Sequence, residues 1–418
     1  MHPKPLLALT TQLLERVMSF REPADVAVSS FFRQQRQLGP RERHTLAETI
    51  YNVLRLRNRF ESMARSGPGG KFRKLAMLGF AASDDFLKGA LQPDEWQWVQ
   101  HVRTHESDWN EPAHQHNLPP WLAEQLMQQR PQDFMLAAQA MNQGAPLDLR
   151  VNTLKMRREE VLEQLQEQGF KAQATPWSPW GIRLQDKPAL TRMPLFQSGA
   201  IEVQDEGSQL LALMTGAKRS EMVVDFCAGA GGKTLALGAM MKNTGRLYAF
   251  DVASHRLDAL KPRLARSGLS NVYNIAIAHE RDERVKRLYG KVDRVLVDAP
   301  CSGMGTLRRN PDLKWRQTPD DVSRILQQQA AILSSAAKLL KPGGRLVYAT
   351  CSWLASENHH TVEQFEQVNP EFEAINTQEC LAAFDVTLAD NAQNGTAMQL
   401  WPHLHQTDGF FAKVWQRN

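Results

Sequence analysis

The chain has 418 residues, 42% hydrophobic and 23% charged, with a formal net charge of +5. That length allows two or three domains, and that balance excludes a disordered chain. No apolar run approaches the roughly 20 residues that span a bilayer, and four cysteines are too few for a disulfide scaffold, so a cytoplasmic, reduced protein is expected. The mild positive charge permits a nucleic-acid partner without requiring one.

The opening MHPKPLLALTTQLLERVMSF has polar breaks and no small-residue cleavage site, which predicts an amphipathic helix rather than a signal peptide. Helical spacing recurs in HTLAETIYNVLRLRNRFESMA, and Ser66-Gly67-Pro68-Gly69-Gly70 interrupts it. His101 and His105 share one helix face. No cysteine lies near them and the glutamate of H-E-x-x-H is missing, so a solvated face and no metal site are expected. Ser107 to Pro120, with Asn110 and Pro112, reads as a linker, and Trp121 opens another helix. From about Pro146 the character changes. LDLRVNT alternates as a half-buried strand does, REEVLEQLQEQGF is helical, and WGIRLQ is a second strand. From about Phe196 strands alternate with helices, which predicts a mostly parallel, doubly wound sheet. The expected division is a helical region at 1–120, a small α/β domain at 121–195 and a Rossmann-like domain at 196–418.

The motifs that carry chemistry sit at the carboxyl ends of these strands, where open α/β sheets bind ligands. The first is Asp225-Phe226-Cys227-Ala228-Gly229-Ala230-Gly231-Gly232-Lys233-Thr234, between a strand and a helix. Its glycines let backbone approach a ligand, although a tight turn explains them equally well. Its tail imitates a phosphate loop, but a cysteine stands where that loop needs its first glycine. Asp251 ends the next strand, at the place where an acid accepts from ribose hydroxyls; it also suits a helix N-cap. Turn and acid together point to a nucleoside-type cofactor. The third and fourth motifs are Asp298-Ala299-Pro300-Cys301-Ser302-Gly303 and Thr350-Cys351-Ser352, each ending a strand. A single cysteine there is commonly an inert packed thiol; two are harder to explain that way. Cys227 suits packing in the turn, and Cys380 has no role.

D-F-C-A-G-A-G-G-K-T, D-A-P-C-S-G and T-C-S, in this order, resemble the RsmB/Nop/Sun family of RNA cytosine-5 methyltransferases. The lead-in SGAIEVQDE from Ser198, the tract GTLRRNPDLKW from Gly305 and the C-terminal DGFF from Asp408 are similar as well. The likeness covers about Pro146 to the C-terminus, and the N-terminal helices are similar to a NusB-like RNA-binding domain. It implies a Rossmann-like S-adenosyl-L-methionine-dependent methyltransferase domain, preceded by a small RRM-like α/β domain. The nearest type is the RsmB-like rRNA methyltransferase.

The resemblance implies that Cys351 attacks carbon 6 of cytosine, that Cys301 assists release, and that Asp298 hydrogen-bonds the base. Covalent addition is needed because carbon 5 of the aromatic ring is a poor nucleophile until a thiolate adds. DNA cytosine methyltransferases attack from a P-C motif, so the reverse assignment, with Cys301 attacking, stays open. The cofactor contacts implied are Cys227, Ala228, Gly229, Ala230, Gly231, Gly232, Lys233, Asp251, Arg256, His279 and Asp298. One departure stands out: the family usually has an acid in the turn that touches the adenine, and His279 falls there, with Glu280 and Asp282 close by. The expected partner is RNA, small-subunit (16S) rRNA first and tRNA second, with no membrane, no DNA and a monomeric enzyme. A non-catalytic RNA-binding assembly factor is the rival reading, and a DNA methyltransferase fails to explain T-C-S. Arg308, Arg309, Lys314 and Trp315 are expected to meet phosphates and a base, with Arg150, Lys155, Arg41, Arg43, Arg55 and Arg57 extending that surface.

Overall fold

The structure, a computed structural model, describes residues 1–105 and 111–418. The chain forms two compact units: Met1–Gly144 with Thr306–Pro319, and Ala145–Gly305 with Asp320–Asn418.

The first unit is helical. Its longer helices are Pro3–Val17, Ala24–Gln34, Pro40–Arg55, Lys71–Gly79, Pro93–Thr104 and Pro120–Gln129. Four of these six begin with proline, whose missing N–H costs nothing in a first turn. Leu7, Leu13, Leu14, Leu46, Ile50, Val53 and Leu75 are fully buried and form its core. They recur at the spacing that puts apolar groups on one helix face. The HTLAETIYNVLRLRNRFESMA run is two helices, because the chain turns at Leu56 (φ −110°, ψ 28°). Of the expected linker, Ser107–Asn110 lie outside the described residues, and Pro112–His116 is a short helix.

Residues 306–319, which follow a strand of the second unit in sequence, pack into this helical unit. The Trp315 indole donates to Leu54 O at 2.7 Å, and the Lys314 ammonium donates to Arg55 O at 2.9 Å and Asn142 Oδ1 at 2.6 Å. Asp312 accepts from the Ala24 N–H at 3.1 Å. Lys314 is 1% exposed and Arg308 6%. Burial, helped by the positive Arg55, pulls the Lys314 pKa well below its ordinary value. Lys314 and Trp315 were expected to meet RNA. Instead they donate to backbone carbonyls and an amide inside the unit, because a buried acceptor without a donor costs more than a surface lysine gains.

The second unit holds two sheets. The small one contains β1 (Leu147–Val151), β2 (Ala172–Ala174), β3 (Gly181–Leu184) and β4 (Ile201–Val203), in the order β2-β3-β1-β4 and wholly antiparallel. The helix Arg158–Glu167 covers it with Val161 and Leu165 against Leu149 and Ile182. Residues 121–144 cluster with the helical unit, and β4 completes the small sheet.

The large sheet contains β5 (Met222–Asp225), β6 (Arg246–Asp251), β7 (Val272–Ala276), β8 (Val292–Asp298), β9 (Leu340–Thr350), β10 (Phe372–Ile375), β11 (Gln393–Asn394), β12 (Ala397–Leu400) and β13 (Phe410–Arg417). Its order is β11-β12-β13-β9-β8-β5-β6-β7, with β10 also on β13. The run β9-β8-β5-β6-β7 is parallel, and β13 closes antiparallel on β9. Val223, Val224, Val295, Leu296, Leu346 and Val347 are fully buried, as strands covered on both faces must be. Strand order reverses at β5, which opens a crevice beyond the carboxyl ends of β5 and β8.

Candidate active site

That crevice is a cavity of 880 Å³. Its walls include ten of the expected site residues in the turn and rim: Cys227, Ala228, Gly229, Ala230, Gly232, Lys233, Asp251, Asp298, Cys301 and Cys351. Arg256 and His279 also line it. Gly231 does not. Its backbone lies at φ +82° and starts the helix Gly232–Met240, and a Cβ there would sit 2.1 Å from Leu260. Its role is to let the turn form, and its neighbours face the cavity.

Asp251 is 8% exposed. One carboxylate oxygen accepts from the Gly229 N–H at 2.8 Å and the other from the Ala253 N–H at 2.7 Å. The residue thus ties the glycine turn to β6 and holds the N–H of Ala253, which is itself the N-cap of the next helix, while it also lines the cavity.

Asp225 is fully buried under the turn and accepts from the Thr234 hydroxyl at 2.7 Å; its other oxygen has no partner. Burial outweighs the Thr234 bond and, with the negative Asp298 nearby, pushes its pKa up to about 7. Burial, then Asp298, also drives the Cys227 thiol well above its ordinary value, so it is a packed neutral wall group.

The Lys233 ammonium donates to Asp298 Oδ2 at 2.7 Å. Burial opposes its charge, but Asp298, then Cys351 and Asp225, outweigh burial and raise its pKa. Lys233 is therefore a fixed cation at the rim, and it restrains Asp298 with one oxygen left over.

The two cysteines meet because β8 and β9 are parallel neighbours in register, with Asp298 opposite Ala349. The Cys301 and Cys351 sulfurs are 3.3 Å apart, beyond the bonding distance of a disulfide. The Cys351 sulfur and burial push the Cys301 thiol well up. Below them, Ser302 and Ser352 share a hydroxyl contact of 3.2 Å, and Glu357 accepts from Ser302. Glu357 escaped sequence reasoning, because an acid in a helix after T-C-S carries no mark of burial. So did Gln204, Ser208 and Arg263, which close the cavity from the β4 side.

The turn expected to meet the adenine is at the cavity wall. Ile277, Ala278, His279 and Glu280 line it, whereas Asp282 is used up: it accepts from Ala278 N–H at 2.9 Å and from Arg284. Those backbone bonds hold Asp282 down to a pKa of about 2. Asp282 therefore does not replace the missing acid. The His279 Nδ1 accepts from the Arg281 N–H at 3.1 Å, which leaves Nε2 as the nitrogen without a partner from its own turn.

Of the expected RNA contacts outside the cavity, Arg150 is buried, Arg43, Arg55 and Arg57 are half-buried, and Lys155 and Arg41 are exposed. Arg150 is 2% exposed and donates to Gln204 at 2.6 Å; burial lowers its pKa to about 10. Lys155 donates to Ser198 O and Arg266 O. Within the helical unit Arg57 pairs with Glu61 and stacks on Trp315, and Arg55 donates to Arg308 O. Arg43 donates to Leu38 O, and Arg41 is exposed.

A cradle of this shape fits a nucleoside cofactor. A Cβ on Gly229 would meet nothing within 4 Å, so the turn leaves open space beside the Asp251 carboxylate. The family model described as 16S rRNA methyltransferase RsmB/F matches residues 212–415, and one for an RsmF/B-like ferredoxin-like domain matches 118–191. A Synechocystis protein called probable ribosomal RNA small subunit methyltransferase B is 32% identical over 93% of this chain and 94% of its own length. Ribosomal RNA small subunit methyltransferase B of Yersinia pseudotuberculosis is 35% identical over 71% of this chain and 66% of its own. A methyltransferase homologue from Pyrococcus horikoshii superposes with a TM-score of 0.62 at 30% identity, over 73% of this chain and 97% of that one.

Proposed function

Because the chain belongs to the RsmB/F family of 16S rRNA methyltransferases, we propose that it methylates carbon 5 of cytosine in small-subunit rRNA with Cys351 as nucleophile. The chain is an S-adenosylmethionine-dependent RNA methyltransferase. The observation that supports the residue roles is the pair of sulfurs 3.3 Å apart on the cavity rim, beside the Lys233–Asp298 ion pair.

When bound, S-adenosylmethionine supplies an electrophilic sulfonium methyl. Asp251 and the backbone at Ala228, Gly229, Ala230 and Gly232 would hold its nucleoside, and Ala278 and His279 would border the adenine end. Asp298, restrained by Lys233, accepts from the cytosine edge and favours its protonation as charge builds. The Cys351 thiolate forms a bond to carbon 6, which makes carbon 5 enamine-like and able to take the methyl. Once Cys351 is bonded to carbon 6 it no longer carries a charge, so Cys301 releases its own proton to water and, as thiolate, takes the carbon 5 proton while the Cys351–carbon 6 bond breaks and Cys351 leaves as thiolate. The target base enters unstacked, since a stacked cytosine hides carbon 6. Among the described residues no helix is long and apolar enough to cross a membrane, and the protein is proposed to act in the cytoplasm as a monomer.

A tRNA substrate is the second reading. Methyl transfer from labelled S-adenosylmethionine to unmodified small-subunit rRNA and to tRNA, side by side with nucleoside analysis, decides between them. 5-Methylcytidine in rRNA alone is expected. Transfer to tRNA alone overturns the substrate, and absence of cofactor binding leaves a non-catalytic assembly factor.

A further inference from the structure

The two sulfurs are chemically alike and touch each other, yet the proposed reaction needs one to attack and the other to carry a proton. The sequence offers nothing that distinguishes them beyond motif order. The surroundings beneath the rim do.

Glu357 is completely buried. Its carboxylate accepts the Ser302 N–H at 2.7 Å, the Ser302 hydroxyl at 2.5 Å and the Gln329 amide at 3.1 Å. The same Gln329 amide donates to Pro300 O at 3.0 Å, so both sides of Cys301 are held. The acid reaches the Cys351 loop one step further on, through the Ser302–Ser352 hydroxyl contact. It sits in a π-helical turn, Ser356–His360, a form concentrated at functional sites. That turn is pinned by Tyr348 OH to Glu357 O at 2.7 Å, by Thr350 to Asn358 Oδ1 at 2.6 Å and by Asn358 to Ser352 O at 2.9 Å. Three donors converge on this one buried group, an arrangement that suits a carboxylate, and its place beside Cys301 raises the cost of a charge on that sulfur.

We propose that Glu357 is the positioning residue of the two-cysteine site, clamping the Cys301 and Cys351 loops together and disfavouring a second negative charge on Cys301. The asymmetry follows from what faces each sulfur. Cys301 faces the Cys351 sulfur, the Glu357 carboxylate and the Tyr348 phenol, and receives the Gly303 N–H. Cys351 lines the same cavity wall as the Lys233 ammonium. One thiol thus has a buried acid behind it, and the other opens on a wall that carries a fixed cation. This rests on the reading that Cys351 attacks and Cys301 assists release.

The test is the pH dependence of iodoacetamide alkylation, followed for each cysteine by peptide mass spectrometry in the intact protein. Glu357→Gln is expected to move the Cys301 midpoint down by about one pH unit, roughly tenfold more thiolate at a given pH, with the Cys351 midpoint in place. Glu357→Asp keeps the charge and should restore most of the difference. A Cys301 midpoint that does not move, or two midpoints that move together, overturns the proposal. Should Glu357→Gln fail to fold, Ser302→Ala removes one hydroxyl from the clamp. It is expected to lower kcat about tenfold with the RNA KM unchanged. An unaltered kcat overturns the clamp. RNA carrying 5-fluorocytidine, which has no carbon 5 proton to lose, separates the two failures. A wild-type adduct on Cys301 breaks the underlying assignment. An adduct on Cys351 with an unmoved Cys301 midpoint breaks only the role of Glu357.

Discussion

Asp298–Cys301 and Arg308–Trp315 lie a few positions apart, and both tracts carry side chains of the kind that meet nucleic acid. The first lines the cavity at the end of β8. The second packs inside the helical unit, where Lys314 and Trp315 donate to Arg55 O, Asn142 and Leu54 O. The difference teaches that topological position says more about function than side-chain type does. The carboxyl end of a parallel strand has no continuing neighbour and so borders a crevice. A basic residue in a connecting tract goes wherever unpaired carbonyls need a donor.

The comparison breaks most sharply at the sulfurs. Cys351→Ala is expected to lower kcat more than about 10³-fold, since a nucleophile has no substitute, and to form no RNA adduct. Cys301→Ala should accumulate a covalent RNA adduct visible on a denaturing gel; the opposite pattern exchanges the two roles. Next in size, Asp298→Asn keeps the shape but loses the charge that Lys233 holds in place, and a fall in kcat of about 10²-fold is expected in single-turnover assays.

The second tract should respond in stability instead. Trp315→Ala is expected to cost about 3 kcal/mol in urea unfolding, since it removes a packed indole and leaves Leu54 O without its donor. At a denaturant-free temperature where the fold persists, the slope of log RNA affinity against log salt should stay as in the wild type. A slope reduced by about one for Lys314→Ala would return that residue to the RNA surface.

Asp225 tests the floor of the cavity. Its folded pKa of about 7 lies above its unfolded value of about 4, so between those two values the native state holds a proton that the unfolded chain has released. Stability is therefore lost as pH rises through that window and is level above and below it. Asp225→Asn should flatten that loss, on the order of a few kcal/mol, in a comparison of melting temperatures from pH 4 to 7. A wild-type and variant difference that is constant across the window would show an ionised Asp225. The smallest effect is expected at the adenine border: His279→Ala should weaken S-adenosylhomocysteine binding about threefold to tenfold by calorimetry, the scale of one neutral hydrogen bond.

Much of the catalytic half was legible because its signals are local. Period-two and apolar runs marked β1, β3, β5, β6, β8 and β9, and glycines with a terminal acid marked the turn after β5. Strand ends then placed Asp251, Asp298, Cys301 and Cys351 on one rim, since in a parallel sheet successive strands finish on the same side. What lay beyond sequence is what depends on neighbours distant in the chain. The Ser302–Glu357 clamp spans 55 positions and the Lys314–Arg55 bond 259. Burial of Arg150, Lys314 and Glu357 was equally hidden, because a charged residue reads as surface until a partner removes its need for water. The sequence by itself determined which candidate groups stand at which strand ends. The tertiary structure decided which charges face the cavity, which ones hold the frame, and what lies beside each of the two thiols, because burial and pairing belong to the packed chain and not to any segment of it.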